Sequence, residues 1–280
     1  MNSIREDILD IVLGSGNDLT PAELQNRLFH ESALTKAQVR AAIRVLVEDG
    51  LLGYSCRHGH TVVERSFSKP VRISKGIVVK PPRVSFAAEP NDVVIEIASG
   101  AAFGSGIHPT TRIALRGLEF LFKEAPYEKK KAHTAALDIG TGSGILAIAA
   151  LHFGVSFAVG TDIDPCARCE AVENAAKNGF DGRFVVLDTP VEDISDHFDP
   201  IIANLRTPTL LRIGSKLSQI CKASGAVVLS GIRIEESKTV CRAYESFRFE
   251  NAWYAEEQQW CGFVFLERSG SSHAKLAPVK

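Results

Sequence analysis

The sequence lacks any apolar run that approaches the roughly 18 residues of a membrane-spanning helix, so we expect no transmembrane segment. It also lacks an excess of charge of either sign, because 32 Lys and Arg residues balance 33 Asp and Glu residues and leave a net charge of -1. This balance argues against a protein whose main role is to coat nucleic acid or an anionic membrane. Met1 to Asp10 mix charged and apolar side chains, so we expect no signal peptide.

Cysteine is scarce too, and the six that are present are scattered along the chain. Without a secretion signal they indicate reduced thiols in a cytoplasmic protein. Cys166 and Cys169 fall inside a predicted helix and lack a second ligand pair, and Cys56, His58 and His60 form a similarly weak cluster. We therefore predict no metal site. What the chain does have is 45% hydrophobic residues, which excludes wholesale disorder.

Residues 1–65 are predicted to form three short helices and a hairpin. Thr20 with Glu23 and Thr35 with Gln38 have the spacing of capping boxes at the starts of the second and third helices. Gly50 supplies the left-handed stop of the third helix, and a tight turn around residues 57–60 joins two short strands. This order is typical of a winged helix-turn-helix module.

The third helix of this module carries a basic stripe. Lys36, Arg40 and Arg44 are four residues apart, as on a recognition helix, but a solvated helix face has the same pattern. Residues 1–65 hold 7 basic against 9 acidic side chains, whereas a nucleic-acid-binding domain is usually basic on one face. Protein contact or simple packing is therefore favoured, and DNA or RNA contact stays open.

The remainder of the chain is predicted to be an α/β domain. Residues 66–100 form an extended linker that carries strands near 77–79 and 92–97. In residues 101–268 strand and helix patterns alternate, which indicates a parallel sheet with helices on both faces. Residues 269–280 are rich in Ser, Lys and Pro and are predicted to be a disordered tail.

The strongest local signal is a glycine-rich turn between a strand and a helix. It starts with Asp138 and continues with Gly140, Gly142 and Gly144, which let the backbone approach a ligand closely. Asp162 ends the next strand, where a carboxylate can accept both ribose hydroxyls of a nucleoside. We expect Asp138 to lie at the mouth of the site. A carboxylate there repels a pyrophosphate but suits a ligand that carries an amino group and a sulfonium. We therefore predict S-adenosyl-L-methionine rather than NAD.

Two further segments flank this turn. Asn204 follows a strand that is expected beside the first one, at the point where ligands bind in such sheets. Its amide oxygen can accept hydrogen bonds from a nucleophilic amine, although capping of the next helix is the alternative. Upstream, a glycine-rich loop from Phe103 leads through His108 into a helix start at Thr111, and no Lys follows as in a phosphate-binding P-loop.

Together these segments resemble the ribosomal protein L11 methyltransferase (PrmA) family over about residues 71–268. The matching stretches are Phe103 to Thr111 (FGSGIHPTT), Gly140 to Gly144 (GTGSG), Asp162 to Pro165 (DIDP), and Ala203-Asn204. The resemblance implies a class I, Rossmann-like methyltransferase with a seven-stranded sheet. It also implies the cofactor S-adenosyl-L-methionine, held by Thr111, Gly140, Asp162 and Asn204, with Phe103 and His108 in the ligand shell.

The function that follows is methylation of a protein nitrogen, a lysine or an α-amine, by in-line displacement. Asn204 and His108 are the predicted catalytic residues, although a structural hydrogen bond explains His108 equally well. Trp253 and Trp260 line the acceptor pocket or belong to the core. Three acidic residues are candidates for a contact with the adenine amino group: Asp188, Glu192 and Asp193. The alternative for each of them is a position in a solvated loop without a ligand.

The chain departs from the family pattern before residue 65, where the family has a small α/β module that recruits the ribosomal protein. Ser105 also replaces the usual Thr, and Leu205 to Pro208 replace a more apolar segment. Two other functions therefore stay open: a nucleic-acid or small-molecule methyltransferase guided by the winged helix, and a DNA-binding regulator that senses S-adenosyl-L-methionine.

Overall fold

The computed structural model describes residues 2–14, 19–31, 35–57, 60–98, 103–104, 106, 108–125 and 134–268. The chain divides into two compact units. The N-terminal unit holds residues 1–70 and 83–86, and the second unit holds residues 71–82 and 87–280. The hairpin turn at residues 58 and 59, Ser105 and the predicted tail at 269–280 lie outside the described residues.

The N-terminal unit consists of three helices and a two-stranded antiparallel sheet. Its elements are α1 (Asn2–Gly14), α2 (Pro21–Glu31), α3 (Lys36–Glu48), β1 (Leu52–Arg57) and β2 (His60–Arg65). One apolar cluster joins all of them, and its fully buried members come from α1, α2, α3, β1 and β2 alike: Ile8, Leu24, Leu28, Val39, Ile43, Leu46, Leu52 and Val63.

Local capping bonds define the helix ends of this unit. The Thr35 hydroxyl accepts a hydrogen bond from the Gln38 N–H, and the Gln38 side chain accepts one from the Thr35 N–H at 2.9 Å. Thr20 and Glu23 make the same exchange ahead of α2. Gly50 has φ +68 after α3. Both predicted capping boxes and the predicted helix stop are therefore confirmed.

The second unit begins with a small three-stranded sheet. Its strands are β3 (Val71–Arg72), β4 (Ile77–Lys80) and β5 (Val93–Glu96), with β3 antiparallel and β5 parallel to β4. The strands predicted near 77–79 and 92–97 are thus confirmed. Arg72 pairs with the Asp92 carboxylate at 2.7 Å, which ties the end of β3 to the residue before β5.

The rest of the second unit is a seven-stranded sheet with helices of at least eight residues packed against it. The elements are α4 (Pro109–Lys123), β6 (Ala135–Ile139), α5 (Ile145–His152), β7 (Phe157–Thr161), α6 (Pro165–Lys177), β8 (Phe184–Leu187), β9 (Ile201–Asn204), α7 (Thr207–Ile220), β10 (Ala226–Arg233), α8 (Ser237–Ser246), β11 (Phe249–Glu257) and β12 (Trp260–Glu267). Short 3-10 turns lie at Val191–Asp193 and Ile234–Glu236.

The strand order is β11-β12-β10-β9-β6-β7-β8. Strands β8, β7, β6, β9 and β10 run parallel, and β12 is antiparallel to both β10 and β11. The chain proceeds from β6 toward one edge and then returns to the other side of β6 with β9, so the order reverses between these two neighbours. This architecture confirms the predicted class I fold, and the reversal is the place where such sheets bind ligands.

The sheet is covered on both faces. One face packs on α4, where a Cβ at Gly117 would lie 3.2 Å from Val228 and Val264. The other face packs on α7 and α8 through a large cluster that includes Leu210, Tyr244 and Phe265. In the part of the chain that the structure describes, no helix combines the length and hydropathy needed to cross a bilayer.

Cys166 and Cys169 are free thiols that are exposed on α6. Within the described ranges no three His, Cys, Asp or Glu side chains are close enough to hold a metal ion. The predicted pattern at Cys56 and His58 cannot be placed, since both side chains lie outside the described set.

Candidate functional site

The predicted site segments converge at the carboxyl edge of the sheet. Gly140 follows β6, Asp162 follows β7, and Asn204 ends β9, and β6 lies between the other two strands. Because these strands are parallel, their carboxyl ends meet at one edge. Residues that are far apart in the sequence therefore face a common space at the reversal of strand order.

The glycine turn is shaped by close contacts as well as by its dihedral angles. Gly140 and Gly142 have φ +67 and +54. A Cβ on Gly142 would lie 2.4 Å from the Phe103 carbonyl oxygen, and one on Gly140 would lie 2.7 Å from Leu205 Cδ2. The N–H groups of Gly140 and the next residue both donate to the Thr161 carbonyl, at 2.8 and 2.9 Å. A side chain at Gly142 would therefore clash with backbone, whereas one at Gly140 would displace the Leu205 side chain and strain the backbone.

Gly144 serves a different purpose. It has φ +81 and directly precedes α5, and a Cβ there would lie 3.1 Å from both Ala171 and Phe184. Its N–H donates to the Thr141 carbonyl at 2.9 Å. Packing of α5 against α6 and β8 therefore accounts for this glycine, and its predicted contact with a cofactor stays a prediction.

Asp162 is held by the backbone of the glycine turn. Its Oδ2 accepts a hydrogen bond from Gly142 N at 2.9 Å, and its Oδ1 accepts one from Asp164 N at 3.0 Å. The carboxylate is thus fixed in orientation, and each oxygen keeps a further lone pair for a hydroxyl donor. Beside it Ile163 is 91% exposed, an apolar side chain at the site that our sequence reasoning missed.

The position that we predicted for Asp138, at the mouth of the site, is wrong. The residue is only 1% exposed, beneath the glycine turn, because it lies inside β6. Its Oδ2 accepts hydrogen bonds from the Thr141 hydroxyl at 2.7 Å and from Ala147 N at 3.2 Å. Burial, opposed by the hydrogen bonds from Thr141 and Ala147 and assisted by the charge of Asp162, raises the pKa of this carboxyl to about 6.

Two buried polar atoms near the site have no partner among the described residues: Asp138 Oδ1 and the Thr111 hydroxyl oxygen. Thr111 is 1% exposed in the first turn of α4. Buried polar groups in native proteins almost always have a hydrogen-bond partner, so a ligand or an ordered water is expected at each of these atoms. A small molecule with polar groups at this edge, or a water, would supply these partners.

The upstream loop is anchored on the glycine turn. The Phe103 carbonyl accepts a hydrogen bond from Ser143 N at 2.9 Å, and the Gly104 carbonyl accepts one from the Ser143 hydroxyl at 2.6 Å. Asn174 on α6 donates to the Ser143 carbonyl at 3.0 Å and accepts from Ala98 N at 3.1 Å. The Phe103 side chain is 53% exposed. The loop therefore offers an exposed ring on a firmly held backbone.

His108 is the N-cap of α4. Its Nδ1 accepts a hydrogen bond from Thr110 N at 3.3 Å, and its ring meets Phe103 and Trp260 edge-on at centroid distances of 5.1 and 5.6 Å. Burial, with the nearby charge of Arg233, lowers the pKa of this imidazole to about 4. The ring is therefore neutral at pH 7, and the accepting role of Nδ1 assigns its proton to Nε2. This geometry explains His108 as a cap, and a catalytic role stays a prediction.

Asn204 is half-buried at the end of β9. The residue that caps α7 is Arg206, so helix capping does not explain this asparagine. The neighbouring Ser230 on β10 accepts from Leu205 N through its carbonyl at 3.1 Å, and its hydroxyl donates to the Thr110 carbonyl at 2.7 Å. Ser230 thereby links the end of β9 to the start of α4, a role that the sequence did not reveal.

The two tryptophans have different surroundings. Trp253 stacks on Phe120 of α4 at 6.1 Å and belongs to the packed face of the sheet. Trp260 lies at the site rim between His108 and the Arg233 guanidinium, which is 4.0 Å from the ring centroid. Of the two predicted pocket residues, only Trp260 is therefore at the candidate site.

The acids predicted for an adenine contact follow β8. Asp188, Glu192 and Asp193 are all exposed, and Glu192 forms an ion pair with Arg212. The exposure of Asp188 and Asp193 leaves both available, and an adenine contact by either stays a prediction.

Comparison with known proteins shows which family this chain resembles. The model of the family described as "Ribosomal protein L11 methyltransferase (PrmA)" matches residues 63–268. The ribosomal protein L11 methyltransferase of Geobacter metallireducens is 40% identical over 203 residues, which cover 72% of this chain and 64% of the relative. The protein of the same name from Geobacter sulfurreducens is 39% identical over 196 residues, covering 70% and 62%.

A solved structure agrees with the sequence comparison. The ribosomal protein L11 methylase of Lactobacillus delbrueckii subsp. bulgaricus superimposes with a TM-score of 0.63 at 27% identity, covering 71% of this chain and 100% of that one. The chain spans less than two thirds of the length of the two Geobacter relatives. The family match begins at residue 63, so nearly all of the N-terminal unit lies outside it.

Proposed function

We propose, from the premise that this chain belongs to the ribosomal protein L11 methyltransferase (PrmA) family, that it transfers a methyl group from S-adenosyl-L-methionine to a protein nitrogen. The acceptor would be a lysine or α-amine of a ribosomal protein, which places the proposed activity in the cytoplasm. The observation that carries this proposal is the Asp162 carboxylate, which Gly142 N fixes beside the reversal of strand order, with only strand β6 between it and Asn204.

The cofactor would be held by groups from three segments. Asp162 would accept hydrogen bonds from the ribose hydroxyls, and the exposed Ile163 would lie against the adenine ring. The buried Thr111 hydroxyl and Asp138 Oδ1 would gain the partners that they lack among the described residues. When bound, the cofactor supplies a methyl group that its positive sulfur already activates. Gly140 and Gly142 permit the close backbone approach that such a ligand needs.

The protein's share of the chemistry would be positioning and charge control. Asn204 would orient the acceptor amine through its amide oxygen, so that the nitrogen lone pair faces the methyl carbon. A lysine must first lose its proton, since its ordinary pKa is about 10.4, and desolvation at the site lowers that value. The low pKa of His108 makes it a weak base. Proton loss would therefore rest on desolvation, and the site would need no strong base.

We further propose that the N-terminal unit is a winged-helix module that recruits the acceptor. Its three helices and hairpin have that order, and it lies outside the part of the chain that the family model matches. Protein contact is the favoured mode. Nucleic-acid contact is the alternative, and the exposed stripe of Lys36, Arg40 and Arg44 on α3 supports it.

A transfer assay tests the proposal. The purified protein is incubated with methyl-labelled S-adenosyl-L-methionine and a lysate from cells that lack the gene, and the products are treated with protease or nuclease. We expect label that protease removes, incorporated about 10²-fold more slowly with Asn204→Ala, while the exposed Asn251→Ala on β11 behaves as wild type. Label that only nuclease removes would contradict a protein acceptor. Cofactor binding without any macromolecular label would favour a small-molecule acceptor or a sensor.

A further inference from the structure

A groove beside the candidate site has no role in the proposed chemistry. It has a volume of about 580 Å³ and lies between the start of α8 and the strands β11 and β12. The 3-10 turn Ile234–Glu236, which forms one wall, directly follows β10. Arg233, the last residue of β10, pairs with Trp260 of β12, so the groove lies toward the same carboxyl edge as Asn204.

The lining of the groove combines an aromatic floor with acidic walls. Phe263 and Tyr254 form the floor, with ring centroids 4.9 Å apart. Glu235 and Glu256 contribute carboxylates, and Lys238 is the one cation among the described lining residues. The Tyr254 hydroxyl donates to the Glu256 carboxylate and so holds it at the edge of the floor. Both glutamates are exposed, and neither has an ion-pair partner among the described residues.

The carboxylates of this region also affect the pKa of a neighbouring thiol, that of Cys261. The pKa of Cys261 is raised to about 11, first by burial and then by the charges of Glu256, Glu236 and Glu235. Three carboxylates thus act on one position, and two of them line the groove. A phosphate or another anion would be repelled here, whereas a cation with an apolar stem would find both kinds of partner.

We propose that this groove binds a lysine or arginine side chain of the acceptor protein, close in sequence to the amine that is methylated. The aliphatic stem would lie on Phe263 and Tyr254, and the cationic head would lie between Glu235 and Glu256. The inference rests on the proposed function in that the acceptor is a protein. It adds a specificity determinant within the second unit, independent of the N-terminal unit.

A footprint at Cys241 tests the groove without any methyl transfer. Cys241 lines the groove, whereas Cys166 and Cys169 are exposed on α6 and serve as internal references. The full chain is treated with N-ethylmaleimide, and the labelling rate of each cysteine is followed by mass spectrometry. The probe is amidated tri-lysine, and its fully N-acetylated form, which carries no charge, is the control peptide.

Tri-lysine is expected to slow labelling of Cys241 about fivefold at four times its dissociation constant, and to leave Cys166 and Cys169 unchanged. The double variant Glu235→Gln with Glu256→Gln should lose this protection, and Glu250→Gln, an exposed acid on the same β11, should keep it. No protection in the wild type, equal protection by the acetylated peptide, or protection retained in the double variant would overturn the proposal. If methyl transfer to protein is intact in such a case, only the groove proposal fails.

Discussion

The two units of the chain differ in what holds their functional surfaces in place. In the N-terminal unit, helix ends are defined by bonds between residues three apart, such as Thr35 with Gln38, around one apolar cluster. In the second unit, the site is held by contacts between distant residues, such as Gly142 with Phe103 and Ser230 with Thr110. The chemistry of the second unit therefore tolerates little change, whereas the surface of the first can vary while its fold persists.

The largest effect is expected from a variant that disrupts a contact between two distant residues of the second unit. Gly142→Ala places a Cβ 2.4 Å from the Phe103 carbonyl at a residue with φ +54. We expect a loss of about 3 kcal/mol or more of unfolding free energy, measured by urea denaturation, because a clash with backbone adds to the dihedral strain. Binding of S-adenosyl-L-methionine, measured by calorimetry, should weaken with it.

Gly182→Ala is the matched control for that variant. Gly182 has a similar φ of +73, but a Cβ there meets nothing within 4 Å. This variant should lose only the unfolding free energy that comes from the strained dihedral angles, about 1 kcal/mol. Equal losses in the two variants would show that the contact with Phe103 does not shape the site.

Asn204→Ala probes the chemistry directly. We expect the single-turnover rate of methyl transfer to fall about 10²-fold, because the acceptor amine loses its positioning partner. The rate is measured at saturating S-adenosyl-L-methionine, so that loss of the cofactor contact that the family resemblance implies for Asn204 does not contribute. The stability should change little, since the backbone pairing with β10 remains. An unchanged rate would refute the proposed role of Asn204.

The His108→Asn variant tests whether His108 acts as a helix cap or as a catalytic residue. The pKa of folded His108 is about 4, below the ordinary 6.5, so the unfolded chain binds more protons between these values. Stability from this group is therefore full above about pH 6.5 and is lost as the pH falls toward 4, by about 2 kcal/mol after allowance for partial exposure. Asn also caps helices, so the variant should lose this pH dependence and keep most of its activity.

The smallest effect on stability is expected at the α3 stripe. Replacing Lys36, Arg40 and Arg44 together by Ala should change the unfolding free energy by no more than about 0.5 kcal/mol, because all three are exposed. If the N-terminal unit recruits through this face, the KM for the acceptor should rise several-fold at constant kcat. An unchanged KM would assign recruitment to another surface, and a rise confined to nucleic-acid affinity would favour the alternative partner.

Sequence patterns predicted the local features of both units. The capping boxes, Gly50, the glycine turn and Asp162 are each defined by neighbours in the chain or by one strand end, and all were placed as expected. The edge strand β11 was missed, because a bulge near Trp253 and a mostly polar, exposed edge obscure its alternation.

The features that the sequence did not reveal depend on distant contacts. Asp138 is buried because its strand lies between β7 and β9, which no local pattern shows. The packing role of Gly144 depends on Ala171 and Phe184, which are 27 and 40 residues away in the chain. The role of Ser230 depends on the approach of α4, which gives its hydroxyl a partner.

The most direct test of the account is the atom that receives the methyl group. Protein labelled by the wild-type chain is digested, and the site of the added methyl is located by tandem mass spectrometry. The account predicts a methyl on a lysine side-chain nitrogen or an α-amine, added about 10²-fold more slowly by Asn204→Ala and at the wild-type rate by Asn251→Ala. A methyl on a carboxylate, a thiol or a nucleobase, or one that Asn204→Ala adds at the wild-type rate, would contradict it.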